Sequence, residues 1–192
     1  EKTSDYWYGV VSEKVIKIKQ TDDTLQFQIF PNETDIEFLK HYFRLDDDLP
    51  HILSKIKKDE AIKTAIQTLY GLRITRQEPW ECLISYICAT YKNIPAIKKM
   101  VQNLSKTFGK KIKFENRIFY TFPEPKDLAR ASLKELKNCG LGFRANSVLE
   151  TAKIVEDGNL DLEVLRKMNY EKAKAKLLSL PGVGNKVADC IL

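Results

Sequence analysis

The hydrophobic pattern of the chain changes its period once, close to residue 31. Before that point, short apolar runs predict strands at residues 8–11 and 15–19, and residues 25–29 alternate strictly between apolar and polar side chains. From Asp35 onward the apolar residues recur at helical spacing. We therefore expect an α+β protein in which a small antiparallel sheet packs on a mainly α-helical body.

The break between the two patterns also gives a domain division. Thr-Asp-Asp-Thr at residues 21–24 predicts a hairpin connection between two strands, and Pro31 ends the strand pattern. Residues 1–31 are predicted to be part of an N-terminal β subdomain, and residues 32–192 to be a helical body. No repeat and no low-complexity linker divides that body.

End signals delimit several helices. Pro79 opens a segment that is apolar almost all round, which predicts a central buried helix through Thr90. Ser132 and Glu135 have the spacing of a capping box at a helix start. Further helices are predicted at residues 94–108, 141–155 and 162–178.

Composition excludes several classes of protein. Of the 192 residues 43% are apolar, which supports a sizeable core, yet no apolar run approaches the roughly 18–20 residues of a membrane span. No leader is evident, and the cysteines form no Cys-x-x-Cys pair, which favours reduced thiols over disulfides or a zinc site. We therefore expect an intracellular protein that is not associated with a membrane. The cysteines are Cys82, Cys88, Cys139 and Cys190.

Positive charge is concentrated in the second half of the chain. Residues 97–192 carry 19 basic and 11 acidic side chains, whereas residues 1–96 carry 13 and 15. A basic half is typical of a surface that binds a polyanion such as nucleic acid. Lysine-rich helices that are merely solvated would give the same count, so charge alone leaves both interpretations open.

The two ends of the sequence suggest a fragment. The chain begins at Glu1 without a methionine, and it ends with three apolar residues, 190–192, inside a predicted helix. We expect it to be part of a longer protein.

The most specific local signal is Leu-Pro-Gly-Val-Gly at residues 180–184. One amphipathic helix is predicted to end near Leu178 and another to begin near Gly184, which gives a helix–hairpin–helix at about residues 170–192. Glycines allow close approach, and free amides at a helix N-terminus favour an anion, so such a hairpin can hold a DNA phosphate. A purely structural turn between two helices is the alternative.

Lys186 and Cys190 are four residues apart, so they project from one face of the second helix. Lys186 lies in the first turn, where the helix dipole disfavours its ammonium form, and burial would lower its pKa further. A partly neutral lysine is a nucleophile suited to Schiff-base chemistry. Contact with a phosphate is the alternative, and spacing alone does not decide between them.

Three segments resemble one family. Residues 76–88 (RQEPWECLISYIC), residues 140–145 (GLGFRA) and the hairpin at residues 180–190 are similar to 8-oxoguanine DNA glycosylases, which belong to the helix–hairpin–helix superfamily of base-excision repair enzymes. The early strands at residues 9–29 resemble that family's N-terminal sheet. The resemblance thus runs from end to end.

The resemblance implies a bifunctional DNA glycosylase and abasic-site lyase. Lys186 matches the catalytic lysine, which attacks the deoxyribose C1′, displaces the oxidised base and leaves an imine that permits β-elimination. Cys190 matches the cysteine of the base pocket, and the catalytic aspartate of the family is expected beyond Leu192. The implied partner is duplex DNA with oxidised guanine or an abasic site, bound by a monomer in the cytoplasm or nucleoid of a prokaryote or the nucleus of a eukaryote.

The resemblance also implies a DNA-binding surface. Phe143 and Arg144 match the wedge that enters the duplex beside the extruded nucleotide. No cofactor is required for the chemistry, but a structural monovalent or divalent cation is expected at hairpin carbonyls. The other expected DNA contacts are Tyr91, Lys92, Asn93, Gly182, Gly184 and Val187. The expected cation ligands are the backbone carbonyls of Leu178, Leu180 and Val183.

The chain departs from the family at the opposite base. Better-known eukaryotic members have consecutive asparagines where this chain has Tyr91-Lys92-Asn93, and an arginine where it has Ala96. Since alanine has no donor for cytosine, we expect weak discrimination of the opposite base. Two other functions stay open: a non-catalytic helix–hairpin–helix DNA-binding module, and a glycosylase of the same superfamily for another damaged base.

Overall fold

The computed structural model describes residues 2–32 and 35–192. The chain forms two compact units, one of Asn32–Gln77 and one in which Glu1–Pro31 joins Glu78–Leu192. The predicted α+β class is confirmed. The predicted division into residues 1–31 and 32–192 stays a prediction.

Within residues 2–32, four antiparallel strands in sequence order form the N-terminal sheet. The strands are β1 (Lys2–Thr3), β2 (Tyr6–Val11), β3 (Lys14–Thr21) and β4 (Thr24–Phe30). The three predicted strands are present, and β1 is added at the edge. Thr21 pairs with Thr24, and Asp22 takes φ +49 between them, which confirms the predicted hairpin connection.

Where the structure describes the smaller unit, three helices make it up. They are α1 (Ile36–Tyr42), α2 (Leu49–Ile56) and α3 (Glu60–Thr68). Each begins at an aspartate whose side chain accepts a backbone N–H of the first turn, as aspartate does well at this position. Arg76 binds Asp46 and Asp47 in the same unit.

The larger unit contains eight helices among the residues described. They are α4 (Pro79–Ala89), α5 (Ile94–Phe108), α6 (Pro125–Ala129), α7 (Leu133–Asn138), α8 (Arg144–Glu156), α9 (Leu162–Leu165), α10 (Tyr170–Leu178) and α11 (Asn185–Ile191). The predicted start at Pro79 and the predicted capping box at Ser132 are confirmed. The buried residues of α4, the predicted central helix, are Trp80, Leu83, Ile84, Ile87 and Cys88.

A second hairpin was not predicted. It consists of β5 (Lys111–Phe114) and β6 (Arg117–Tyr120). Its rings pack on the N-terminal sheet, with Tyr8 against Phe119 at 6.0 Å and Phe30 against Phe114 at 5.7 Å between ring centroids. Four-residue strands with exposed lysines give too short a period-two pattern to stand out in the sequence.

Two predicted helix boundaries were wrong. The predicted helix at 162–178 is two helices, because Asn169 caps α10 by accepting the N–H of Lys172. The helix predicted from residue 141 begins at Arg144, because Gly140 and Gly142 take φ +91 and +58, which a right-handed helix excludes. Nowhere in residues 2–32 and 35–192 does a helix have the length and apolar character to cross a membrane.

Candidate functional site

Helix α10, a six-residue turn and helix α11 form the segment that the sequence singled out. Helix α10 ends at Leu178 and α11 begins at Asn185 with Gly184 as its N-cap residue, so both predicted boundaries are confirmed. Leu180 and Val183 are buried, and Val183 N–H donates to the Leu180 carbonyl at 3.2 Å. The two apolar side chains anchor the turn in the core. That this segment is a phosphate-binding helix–hairpin–helix stays a prediction.

The two glycines of the turn serve different purposes. Gly182 has φ +82, and a Cβ built there would lie 2.9 Å from the Cβ and Oγ of Ser147. Gly184 is extended, and a Cβ there would meet nothing within 4 Å. Gly182 is therefore required by the fold itself, whereas the surface over Gly184 is open to another molecule.

Lys186 lies on the edge of a cavity of about 490 Å³. Its side chain is exposed, and within the part of the chain that the structure describes it has neither a hydrogen bond nor an ion pair. Lys186 is therefore not buried, although burial was considered from the sequence, because the first turn of α11 faces outward. The cavity is lined by Tyr86, Ala89, Thr90, Tyr91, Gly182, Gly184, Asn185, Lys186 and Val187.

The cavity brings together five of the predicted site residues, which are Tyr91, Gly182, Gly184, Lys186 and Val187. A larger cavity of about 680 Å³ differs in charge, since its walls have six acidic side chains and no basic one. Those acids are Glu13, Glu78, Glu81, Glu124, Asp161 and Glu163. Burial, with a smaller contribution from Glu78, raises the pKa of Glu81 to about 7. Of these two cavities among the described residues, the smaller one is suited to an anion.

Cys190 lies one turn after Lys186 and is exposed. It does not line the cavity; it faces α4, where its thiol is close to Tyr86 and Cys82. Burial, with the nearby Glu78 and Glu81 carboxylates, raises the pKa of Cys82 to about 11, and burial also raises the pKa of Tyr86. The base-pocket role of Cys190 stays a prediction.

Phe143 and Arg144 differ sharply in exposure. The Phe143 ring is 69% exposed, as the resemblance implies for a wedge. Arg144 is only 3% exposed, and its Nε–H donates to the carbonyl oxygen of Thr90 at 3.0 Å. Its other nitrogens reach the carbonyls of Thr90 and Leu141, and its guanidinium lies 4.2 Å from the Phe143 ring centroid. The donors of this buried side chain thus satisfy backbone acceptors, and its predicted contact with DNA stays a prediction.

The loop after α4 presents an aromatic ring to solvent. Tyr91 is 91% exposed and takes φ +52, and Lys92 beside it is exposed as well. Asn93 caps α5, because its Oδ1 accepts the N–H of Ala96 at 3.0 Å. Neither Lys92 nor Asn93 lines the cavity.

Sequence reasoning missed a polar cluster that joins α10 to α11. The Tyr170 hydroxyl donates to Asp189 Oδ1 at 2.5 Å, and Lys174 Nζ lies 2.7 Å from the same oxygen and 3.0 Å from the Tyr170 hydroxyl. Tyr170 and Lys174 have helical i,i+4 spacing, which was a visible signal. Nothing local in the sequence indicated Asp189 as their partner.

The predicted cation ligands are three backbone carbonyls of the turn and its flanks. Leu178 and Val183 carbonyls accept no backbone hydrogen bond from the described residues, whereas the Leu180 carbonyl accepts the Val183 N–H. Free carbonyl oxygens suit a hard cation. Among residues 2–32 and 35–192 no group of three or more His, Cys, Asp or Glu side chains suits a metal ion.

Comparison with known proteins agrees with the resemblance. Residues 1–83 match the model of the 8-oxoguanine DNA glycosylase N-terminal domain. An N-glycosylase/DNA lyase of Saccharomyces cerevisiae is 36% identical over 167 residues, covering 80% of this chain and 44% of that protein. The N-glycosylase/DNA lyase OGG1 of Arabidopsis thaliana is 31% identical over 203 residues, covering 100% of this chain and 55% of that protein.

A solved structure extends the comparison to the fold. The Clostridium acetobutylicum 8-oxoguanine glycosylase/lyase, in complex with double-stranded DNA containing cytosine opposite to 8-oxoG, superposes with a TM-score of 0.88 at 32% identity. The match covers 97% of this chain and 64% of that one. The chain spans about half the length of the curated relatives it matches. The chain thus carries the N-terminal domain of the 8-oxoguanine DNA glycosylase family at residues 1–83, and over its whole length it is similar in sequence and fold to 8-oxoguanine glycosylases.

Proposed function

We propose that the intact protein excises oxidised guanine from duplex DNA and cleaves the strand at the resulting abasic site. The observation that carries the proposal is the state of Lys186, an exposed amine without an ion-pair partner among the described residues, at the edge of a cavity and two residues from the open Gly184. A DNA-binding module needs surface cations but no such amine beside a cavity.

The proposed chemistry uses the Lys186 amine as the nucleophile. Its lone pair forms a bond to the deoxyribose C1′, the glycosidic bond breaks, and the base leaves with that electron pair and takes up a proton. The amine loses a proton and the sugar ring opens, which leaves an imine. Loss of a C2′ proton then breaks the bond from C3′ to oxygen, and water hydrolyses the imine and releases Lys186.

The duplex is proposed to lie across the turn and the two exposed rings. Backbone amides at Gly182 and Gly184 would face a phosphate, with Val187 and Lys92 beside them. Tyr91 and Phe143 would enter the base stack and offset the stacking lost when the target nucleotide is extruded. Asn93 and Arg144 would support the loops that present those rings, and Cys190 would contact the extruded base.

No cofactor is needed for lysine chemistry, but we propose a structural cation at the turn. The carbonyls of Leu178, Leu180 and Val183 would hold it, and the first and last of them have free lone pairs. A cation there would add positive charge next to the DNA phosphates. As a DNA repair enzyme the protein would act inside the cell, bound to DNA, as a monomer.

Borohydride trapping tests the function. The intact protein should become covalently linked to a duplex with 8-oxoguanine, because borohydride reduces the imine to a stable amine. Lys186→Gln should abolish trapping and keep DNA binding, whereas Lys172→Gln, an exposed lysine of α10, should trap like the wild type.

Two results would contradict this function. Equal trapping by Lys186→Gln would mean that another nucleophile acts. Duplex binding by the wild type without trapping on any damaged base would leave only a DNA-binding module.

A further inference from the structure

Asp189, one member of the cluster with Tyr170 and Lys174, lies close to Lys186 along the chain. Asp189 follows Lys186 by three residues on α11, and both side chains are exposed. Residues three apart on a helix are neighbours, so a lysine and an aspartate at this spacing ordinarily attract each other. Here the aspartate instead binds two residues of α10, at 2.5 Å from Tyr170 and 2.7 Å from Lys174.

We propose that Tyr170 and Lys174 are positioning residues that hold Asp189 against α10 and thereby keep Lys186 without a carboxylate partner. The importance of this for catalysis rests on the proposed function, because it matters only if the Lys186 amine is the nucleophile. An ammonium paired with a carboxylate loses its proton only at a higher pH, so a smaller fraction of the amine is available to attack carbon at a given pH.

The carboxylate of Asp189 and the ammonium of Lys174 both keep their charge near neutral pH. Hydrogen bonds from Lys174, and then from Tyr170, lower the pKa of Asp189. The hydrogen bonds to Asp189 and Tyr170 raise the pKa of Lys174 above its ordinary value. Since the aspartate stays an anion and Lys174 a cation at neutral pH, the carboxylate would be free to pair with Lys186 if its α10 partners were removed.

Helices α4 and α10 pack on α11 and bring titratable groups to it. From α4 these are Tyr86, which lines the same cavity, and Cys82. From α10 they are Tyr170 and Lys174, and α11 itself adds Asp189 and Cys190. Glu78 and Glu81, at the start of α4, lie near Cys82. Among these described carboxylates, Asp189 is the one on α11 itself, at the helical spacing at which it can pair with the Lys186 ammonium.

The test measures the amine of Lys186 directly, without DNA. Trace acylation of the intact protein with acetic anhydride at a series of pH values, read by peptide mass spectrometry with Lys172 as an internal reference, gives the pH midpoint at which Lys186 loses its proton. The variants are Lys174→Met, Tyr170→Phe, Lys174→Met with Asp189→Asn, and Lys174→Arg. Circular dichroism checks that each variant is folded.

We expect Lys174→Met to raise the Lys186 midpoint by about 0.3–0.5 pH unit, which is a two- to threefold lower acylation rate at fixed pH. Tyr170→Phe changes no charge near neutral pH and releases one of two restraints, so it should give about half that shift. Adding Asp189→Asn to Lys174→Met should remove the shift, and Lys174→Arg should retain the wild-type midpoint.

An unchanged midpoint in Lys174→Met or in Tyr170→Phe would overturn the proposal, and so would a shift that persists without Asp189. Failure here is distinguishable from failure of the proposed function. Acylation requires no catalysis, so a protein that never traps on DNA still reports whether the cluster controls Lys186. If trapping occurs, its rate against pH should shift in the same direction in Lys174→Met.

Discussion

Two parts of the larger unit carry the predicted DNA contacts. They differ in whether their polar groups already have hydrogen-bond partners within the protein. The first is the turn and the start of α11, where Gly184 is open and Lys186 has no partner among the described residues. The second is the pair of loops that present Tyr91 and Phe143, where the polar residues are already in use, since Asn93 caps a helix and Arg144 binds carbonyls. A motif residue is available for chemistry only where the fold leaves its polar atoms free.

The largest expected effect is a loss of stability, which tests whether Arg144 stabilises the fold rather than contacts DNA. Arg144→Met leaves the Thr90 carbonyl without its guanidinium donors, whereas the Leu141 carbonyl keeps the backbone N–H of residue 144. Because an acceptor left without a partner in the interior is costly, the free energy of unfolding should fall by about 2–4 kcal/mol. Denaturant unfolding of the intact protein measures it. Arg130→Met, at an exposed arginine, should change little. Wild-type stability with lost DNA affinity would instead place Arg144 in the interface.

Local chemistry explains which features could be predicted from the sequence. The ends of α10 and α11 were found because Pro181, Gly182 and Gly184 act within a few residues of the boundaries that they set. The burial of Arg144 depends on a carbonyl 54 residues away, at Thr90. The hairpin of β5 and β6 likewise exists because the N-terminal sheet lies against it, so the period of its own short strands was not informative.

The second-largest expected effect is a loss of DNA affinity that distinguishes a role of the turn in binding from a role in the fold. If Gly184 presents its amide to a phosphate, Gly184→Val should weaken duplex affinity about tenfold, on damaged and undamaged DNA alike. The extended backbone and empty surroundings of Gly184 accept the side chain, so the unfolding free energy should stay close to that of the wild type. Affinity at several salt concentrations provides the measurement.

Two controls sharpen that result. The salt slope of Gly184→Val should match the wild type because amides have no formal charge, whereas Lys92→Ala should reduce the slope by about one if it contacts a phosphate. Gly182→Ala should lower the unfolding free energy by about 1–3 kcal/mol, since it combines positive φ with a clash against Ser147. Loss confined to the damaged duplex in Gly184→Val would place the turn at the base pocket, and full affinity would make it purely structural.

The smallest expected effect concerns the base opposite the lesion. Discrimination of cytosine needs directed hydrogen-bond partners, each good pair contributing about 1–3 kcal/mol. In the two loops, the side chains that could form such hydrogen bonds are already bonded within the protein or lack polar atoms. Arg144 is buried, the Asn93 oxygen caps α5, and Ala96 has no polar side-chain atom. Tyr91 is free, but a ring that stacks accepts any base. Single-turnover excision rates opposite the four bases should therefore differ by less than about tenfold, or about 1.4 kcal/mol.

A preference for cytosine on the order of a hundredfold, about 2.7 kcal/mol, would mean that another residue reads the base or that Arg144 leaves its carbonyls on binding. Repeating the rates with Arg144→Lys distinguishes those two cases, because only a guanidinium that has moved into the duplex would lose its preference on that change.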